Sequence, residues 1–164
     1  MSEESIFHQI AQGDIPSKKV YENEEFTAVL DKRPAREGHV IVLPKQPAQV
    51  SAQYNGKMCK DLSKALKKVS EKILQSLDAE GTTIFTANGG AAGQRAPYSI
   101  FHVIPRKESD DLQLQPVPTE MDEAKHEAAK KRLRGALGMQ APEPETEAEP
   151  EFDVGYAEGR RFNF

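Results

Sequence analysis

The segment GQRAPYSIFHVIPR, from Gly93 to Arg106, carries more information about the fold than any other stretch of the chain. It follows a run of small residues, Asn88 to Ala92, and its second half is rich in aromatic and β-branched residues. That composition predicts a loop that leads into a β-strand over Ser99–Pro105. Because side chains alternate between the two faces of a strand, one face of this strand should present Tyr98, Ile100 and His102.

Hydrophobic patterns outside this segment predict two helices and four further strands. Apolar residues recur every three or four positions from Lys57 to Leu77, which predicts a long amphipathic helix. Phe7–Gln12 is predicted to be a short helix that ends at Gly13. Short runs bounded by turn residues predict the strands Lys19–Glu22, Glu25–Asp31, Gly38–Pro44 and Thr82–Ala87.

Composition divides the 164 residues into three parts. Residues 1–115 hold most of the hydrophobic side chains and form the expected domain. Residues 116–138 have the weak apolar stripe of a C-terminal helix, for which Thr119 is a candidate N-cap. Residues 139–164 carry a net charge of −5 and repeated Pro-Glu pairs, so we expect a disordered acidic tail. Its end, Gly159–Phe164, suits a short docking motif for a protein partner, although a merely solubilising end has the same composition.

Several classes of protein are excluded by what the sequence lacks. Since Cys59 is the single cysteine, an internal disulfide and a thiolate-rich metal site are both excluded. Basic and acidic residues balance over residues 1–118, so nucleic acid is not an expected partner. No apolar run approaches the roughly twenty residues of a membrane span, and the first residues do not resemble a signal peptide. We therefore expect a cytoplasmic protein without a membrane partner.

Three blocks of sequence together resemble the histidine-triad (HIT) superfamily over roughly residues 5–106. The first contains Gly-Asp-Ile-Pro and Val-Tyr-Glu, the second ends in Gly-His-Val-Ile-Val-Leu-Pro-Lys, and the third runs from Asn88 to Lys107. The resemblance implies an α+β fold, in which a HIT-like antiparallel sheet of about five strands carries one long packed helix. Family members usually form symmetric dimers, so a homodimer is expected.

The third block departs from the family at the position of its reactive group. Family members have three alternating histidines there, and the middle one attacks phosphorus and carries the nucleotide covalently. In this chain the three positions are Tyr98, Ile100 and His102, and the side chain of Ile100 has no lone pair for that attack. Ser99 points to the opposite face and a tyrosine hydroxyl is a weak nucleophile, so neither is a good replacement. No catalytic residue set is intact, which implies that nucleotidyl hydrolase or transferase activity has been lost.

Other positions match the purine-nucleotide pocket of the family, with AMP as the expected kind of ligand. Ile6, Phe7 and Leu30 match apolar residues that contact the base, although ordinary core residues would look the same. Asp31 matches the carboxylate that binds the ribose hydroxyls, and it equally suits a turn before Pro34.

The phosphate side of the pocket matches a loop and two histidines. Asn88, Gly93 and Gln94 match residues that bind phosphoryl oxygens, although a glycine-rich connection without a ligand fits equally well. His39 and His102 match the histidines that flank the nucleophile in active members. Their imidazoles either bind a phosphate when protonated or are relics whose nitrogens bond to backbone carbonyls.

The resemblance implies neither a metal nor a cofactor. Many relatives bind zinc through Cys-x-x-Cys near the start and a histidine after Pro-Lys, whereas this chain has Ser5, His8 and Gln46 at those places. Three hypotheses for function remain. The chain is a nucleotide- or partner-binding protein without catalysis, a divergent nucleotide phosphohydrolase or nucleotidyl transferase with a non-standard mechanism, or a scaffold that acts through its C-terminal tail.

Overall fold

The computed structural model describes residues 5–114 and 116–139, which cluster into two compact units on either side of Leu114. In chain order, the first unit contains α1 (Ile6–Gln12), β1 (Lys19–Glu22), β2 (Phe26–Leu30), β3 (Val40–Pro44), α2 (Gly56–Ser76), β4 (Gly81–Phe85) and β5 (Phe101–Arg106). The second unit contains α3 (Glu123–Ala136). Apart from Met139, the predicted acidic tail with its terminal segment Gly159–Phe164 lies outside the described residues.

The five strands form one antiparallel sheet in the spatial order β1-β2-β3-β5-β4. The edge strands are therefore β1 and β4, and β3 lies at the centre. Strands β2 and β3 pair along their whole length, from Phe26 opposite Pro44 to Leu30 opposite Val40. The predicted fold class, an α+β fold with about five antiparallel strands and one long helix, is confirmed.

Helix α2 packs across one face of the sheet. Asn55 caps the helix, because its side-chain oxygen accepts the N–H of Met58 at 2.9 Å. The apolar stripe of α2 meets the side chains that alternate strand residues direct to this face. The buried residues of this main core are Phe26, Ala28, Val40, Val42, Met58, Ala65, Val69, Ile73 and Val103. Full burial of one such aliphatic side chain contributes about 1.5–3 kcal/mol, so the α2 face supplies much of the stability of the unit.

The short helix α1 lies over the opposite face of the sheet. Ser5 caps it by accepting the N–H of Phe7, and Gly13 ends it in the left-handed conformation with φ of 91°. The hydroxyl of Thr27 on β2 donates to the carbonyl of Ala11 at 2.8 Å, which ties the helix to the sheet. The buried residues of this second core are Ala11, Val29, Ile41, Leu43 and Tyr98.

The start of β5 differs from the prediction for a specific reason. The strand begins at Phe101 and not at Ser99, because the N–H of Ser99 donates to the carbonyl of Ala48 at 2.7 Å. The hydroxyl of Ser99 accepts a hydrogen bond from Tyr54 at 2.9 Å, on the α2 side of the sheet. The prediction that Ser99 and Tyr98 point to opposite faces is therefore confirmed, although the chain before Phe101 is not part of the β3–β5 ladder.

The second unit consists of α3 and the segments beside it. The predicted cap at Thr119 is wrong, because the helix begins at Glu123 and the side chain of Asp122 accepts the N–H of Lys125 at 3.1 Å. No residue of α3 is buried, in keeping with its weak apolar stripe. Among residues 5–114 and 116–139, no helix combines the length and the apolar character that a membrane crossing requires.

Candidate functional site

A groove of about 1020 Å³ opens on the face of the sheet that α1 covers. Ile6, Phe7 and Ile10 of α1 form one wall, and the other wall runs from the end of β2 through the loop at residues 31–39. The lining is apolar along α1 and carries charged side chains along the loop. A second groove of about 770 Å³ lies between β1 and α2, but no histidine lines it. Five of the residues singled out from the sequence line the α1-side groove: Ile6, Phe7, Leu30, Asp31 and His39.

Asp31 and His39 line this groove, and the pairing of the strands brings His102 into contact with His39. Asp31 follows β2, and its N–H donates to the carbonyl of His39 at 2.9 Å. Gly38 precedes His39 with φ of 81°, and a Cβ at this position would overlap the side chain of Leu77. A glycine is thus required for the turn that delivers His39. His102 on β5 pairs with Ile41, two residues after His39 on the same face of β3.

The three side chains form a connected group. Nε2 of His39 lies 3.0 Å from Nδ1 of His102, and Nδ1 of His39 lies 3.8 Å from Oδ2 of Asp31. Nδ1 of His39 accepts the N–H of Ala35 at 3.1 Å, so we infer that Nε2 carries the proton and donates it to His102. The ring of His102 also stacks on Phe85, with centroids 4.6 Å apart and planes inclined by 9°. One ligand atom from each of the three side chains lies within 4.8 Å of the others, a spacing compatible with a cation.

Burial favours the neutral form of both imidazoles. Burial lowers the pKa of His39 below its usual value, and the Asp31 carboxylate opposes this only in part. Burial and then the neighbouring His39 lower the pKa of His102, again against a smaller opposing effect of Asp31. Neutral imidazoles supply no positive charge, which disfavours their interpretation as protonated phosphate ligands. The sequence also suggested relic histidines whose nitrogens bond to backbone carbonyls. In the structure, the two rings bond to each other, and His39 also accepts the N–H of Ala35.

The Pro-Arg end of the quoted segment anchors the loop that carries Ala35. Arg106 makes a two-pronged ion pair with Asp110, at 2.6 Å from Nε and 2.9 Å from Nη2. The Arg106 guanidinium holds the pKa of the Asp110 carboxyl well below its usual range. Asp110 in turn lies 3.4 Å from Nη1 of Arg36, one residue after Ala35. Arg106 therefore has a structural role in positioning one wall of the groove.

The residues predicted for the base and the ribose lie on one groove. Ile6 is 57% exposed on α1, while Phe7 is half-buried and also packs on the Tyr98 ring, with centroids 6.2 Å apart. Leu30 packs against the α2-side core and also lines the groove. Asp31 lines the groove, and its Oδ1 also accepts the N–H of Arg33 at 2.8 Å, as a turn residue would. Asp31 therefore acts as a turn residue, and its assignment to the ribose hydroxyls stays a prediction.

The residues predicted for the phosphate side lie elsewhere, in the loop between β4 and β5. Oδ1 of Asn88 accepts both the N–H and the hydroxyl of Ser51, at 3.0 and 3.1 Å. Gln94 accepts the N–H of Gly89 at 2.6 Å and donates to the carbonyl of Gln49, also at 2.6 Å. Gly93 has φ of 89° and ends a short 3-10 turn. These hydrogen bonds join the loop to the segment that contains Gln49 and Ser51, and none of the three residues lines the groove.

Tyr98 and Ile100 fill the first two positions of the triad with packed side chains. Tyr98 is 2% exposed, and its hydroxyl donates to the carbonyl of Pro44. Burial raises the pKa of Tyr98, so its phenolate is not available as a nucleophile. Ile100 is half-buried and packs against the α1-side core. Tyr98 therefore belongs to the α1-side core and does not line the groove.

Sequence reasoning missed two features of the site. The first is the direct contact between His39 and His102 and their proximity to Asp31, which depends on the register of β3 against β5. Lys18, just before β1, also lines the groove and was not predicted. The alternation of side chains along β3 and β5 places both histidines on the α1 face. Knowledge of how β3 pairs with β5 would therefore have predicted the contact between His39 and His102.

Comparison with known proteins identifies the family. The family model of the HIT domain matches residues 12–109. An uncharacterized HIT-like protein of Methanocaldococcus jannaschii is 39% identical over 106 residues, which cover 64% of this chain and 81% of that protein. Adenosine 5′-monophosphoramidase of Schizosaccharomyces pombe is 34% identical over 101 residues, covering 62% and 73% of the two chains. The crystal structure of a HIT family member from Bacillus subtilis superimposes with a TM-score of 0.73 at 30% identity, covering 86% of this chain and 100% of that one. This chain belongs to the HIT family.

Proposed function

We propose that the α1-side groove binds AMP or a related purine nucleotide and that the chain does not transfer the nucleotidyl group. The observation that carries this proposal is the side chain of Ile100, a hydrocarbon packed against the core where a nucleophile is needed. Tyr98, the only hydroxyl on the same face of this segment, is buried and committed to the Pro44 carbonyl.

Contacts available in the groove support binding of a nucleoside. The apolar side chains of Ile6, Phe7 and Ile10 offer a surface on which a flat base can be buried. Asp31 uses one lone pair for the N–H of Arg33, and its carboxylate still has acceptor sites for the two ribose hydroxyls. Lys18 and Arg33 also line the groove and favour an anionic ligand.

Titration of the full chain with AMP by isothermal calorimetry, in the presence of EDTA, tests the binding proposal. We expect saturable binding that Asp31→Asn weakens about 10- to 100-fold, because hydrogen bonds to a charged acceptor contribute about 1.5–3 kcal/mol. Asp14→Asn is the matched control, since it removes the same charge from an exposed position outside the groove lining. Equal affinity of the two variants would contradict the assignment of Asp31. Absence of binding, together with loss of a protein partner on deletion of residues 159–164, would favour the scaffold hypothesis.

The enzyme hypothesis remains a second candidate, because one relative is named an adenosine 5′-monophosphoramidase. A neutral His39–His102 pair could assist attack by water without a covalent step. Incubation with adenosine 5′-phosphoramidate, followed by chromatography of the products, separates the two proposals. We expect no turnover above the uncatalysed background. Turnover that His102→Ala abolishes would establish the enzyme hypothesis instead.

We also propose that the chain forms a homodimer through β4. This edge strand leaves one side unpaired, and Ile84 and Phe85 on it are 44% and 38% exposed. Sedimentation equilibrium should give twice the chain mass of 18.2 kDa. Ile84→Lys should shift the equilibrium towards the monomer, whereas Val20→Lys on the other edge strand should not. A monomeric wild type, or equal effects of the two variants, would contradict the proposed interface.

A further inference from the structure

We propose that Asp31, His39 and His102 form a binding site for a divalent transition-metal cation. Binding of the cation does not require a bound nucleotide. The site is also at a different place from the zinc position of many relatives, which corresponds to Ser5 and His8 at the start of the chain. No metal was expected at the α1-side groove from the sequence.

The kinds of donor atom favour a cation of the zinc type. Two imidazole nitrogens and one carboxylate oxygen are ligands that Zn²⁺, Co²⁺ and Ni²⁺ accept, whereas Mg²⁺ and Ca²⁺ prefer oxygen ligands alone. Three protein ligands leave a fourth position of a tetrahedral zinc ion for water or an anion. The group lies at the end of an open groove, so such an exogenous ligand can reach it.

The spacing is close to that of a coordination shell. Ligands at about 2.0–2.2 Å from one zinc ion lie roughly 3–4 Å from one another. The ring nitrogens of His39 and His102 that face each other are 3.0 Å apart, and one atom from each of the three residues lies within 4.8 Å of the others. Rotation of the Asp31 side chain away from Nδ1 of His39 would bring a carboxylate oxygen to the cation and complete the shell.

The fold holds the ligands in advance of binding. His39 is 5% exposed and fixed by the turn at Gly38, and His102 is held by β5 and by its stack on Phe85. Asp31 is held by its backbone bond to His39 and by the N–H of Arg33. Ligands that are ordered before the cation arrives lose less conformational entropy on binding.

A cation between the rings displaces the proton that now joins them. That proton moves from Nε2 to Nδ1 of His39, so the ring stays neutral and Nε2 offers its lone pair to the cation. The N–H of Ala35 then loses its present acceptor at Nδ1, which lies 3.1 Å away. Two N–H groups would then face each other, so the exposed loop at Ala35 must shift and its N–H must bond to water instead. Oδ2 of Asp31 now lies 3.8 Å from Nδ1 and must turn towards the cation, so it does not accept this proton.

Titration with Co²⁺ alone, read by its visible absorption, and with Zn²⁺ alone, read by calorimetry, tests the site on the full chain after EDTA treatment and desalting. We expect one equivalent per chain and the intense absorption of Co²⁺ with four ligands. His102→Gln and Asp31→Asn should each weaken binding at least about tenfold, the scale on which metal-site substitutions act. His126→Gln on α3 is the matched control, since it removes an exposed imidazole outside the group.

A second measurement keeps the test valid if a variant is unstable. Zn²⁺ at a hundredfold excess over its Kd should raise the thermal midpoint of the wild type, and this shift should be absent in His102→Gln at a temperature where circular dichroism shows it folded. No saturable binding to the wild type would overturn the proposal, as would equal binding by His102→Gln and His126→Gln. Since these titrations contain no nucleotide, their failure leaves the AMP proposal untouched.

Discussion

Replacing Ile100 with histidine should give the chain measurable activity on adenosine 5′-phosphoramidate. The variant restores a nitrogen nucleophile two residues before His102 on the same face of the chain, beside the His39–His102 pair. Deletion of a nucleophile in other covalent enzymes costs about a millionfold in turnover, so even a poorly placed replacement should raise the rate about 10²- to 10⁴-fold. The measurement is release of AMP, followed by chromatography, with detection of a phosphorus–nitrogen adduct by mass spectrometry.

The structure makes the single variant a sharper test than a double one that also introduces histidine at position 98. Tyr98 is buried and bonded to the Pro44 carbonyl, so its replacement would disturb the core and confuse the result. Ile100→Gln is the matched control, because it introduces a polar side chain of similar length without a nucleophilic nitrogen. If Ile100→His binds AMP and remains as inactive as Ile100→Gln, then position 100 is not the reason for the proposed inactivity. The hydrogen-bonded loop around Gln94 would become the next candidate.

Periodic hydrophobic patterns were enough to predict the secondary structure of the first unit. The strand Lys19–Glu22 was predicted with its observed bounds, and α2 differs by one residue at each end. The error at the start of β5 occurred because a hydrogen bond to a distant residue decides the conformation there. Ser99 was predicted to be in a strand because of its neighbours, but its N–H bonds to Ala48, which is 51 positions earlier in the chain. No local pattern contains that information.

The candidate site shows the same limit. Ile6, Phe7, Asp31 and His39 share one groove, as the resemblance implied, but the side chains of Asn88 and Gln94 are hydrogen-bonded to other parts of the chain. A sequence pattern shows that a side chain is able to bind a phosphate. It cannot show that the same side chain is already hydrogen-bonded to another part of the chain. The contact between His39 and His102 depends on the register of β3 against β5, which the sequence leaves open.

Tyr98 should be one of the most important single residues for stability, and its two kinds of contact can be separated by substitution. Tyr98→Ala should lower the free energy of unfolding by about 3–5 kcal/mol, the range for aromatic residues removed from a packed core. Tyr98→Phe keeps the ring and removes only the hydroxyl, so the Pro44 carbonyl loses its buried donor at a cost of about 1–3 kcal/mol. Urea unfolding followed by circular dichroism measures both values.

Tyr21→Phe on β1 is the control for the hydroxyl, since the half-buried Tyr21 has no hydrogen bond from its hydroxyl within residues 5–114 and 116–139. We expect it to change the free energy of unfolding by less than about 0.5 kcal/mol. If Tyr98→Phe is as stable as Tyr21→Phe, the bond to Pro44 contributes nothing. If Tyr98→Ala also costs less than about 1 kcal/mol, the ring is not packed as described. A side chain that is tightly packed in the core cannot also move to contact a ligand. A loosely packed Tyr98 would therefore be free to take part in binding.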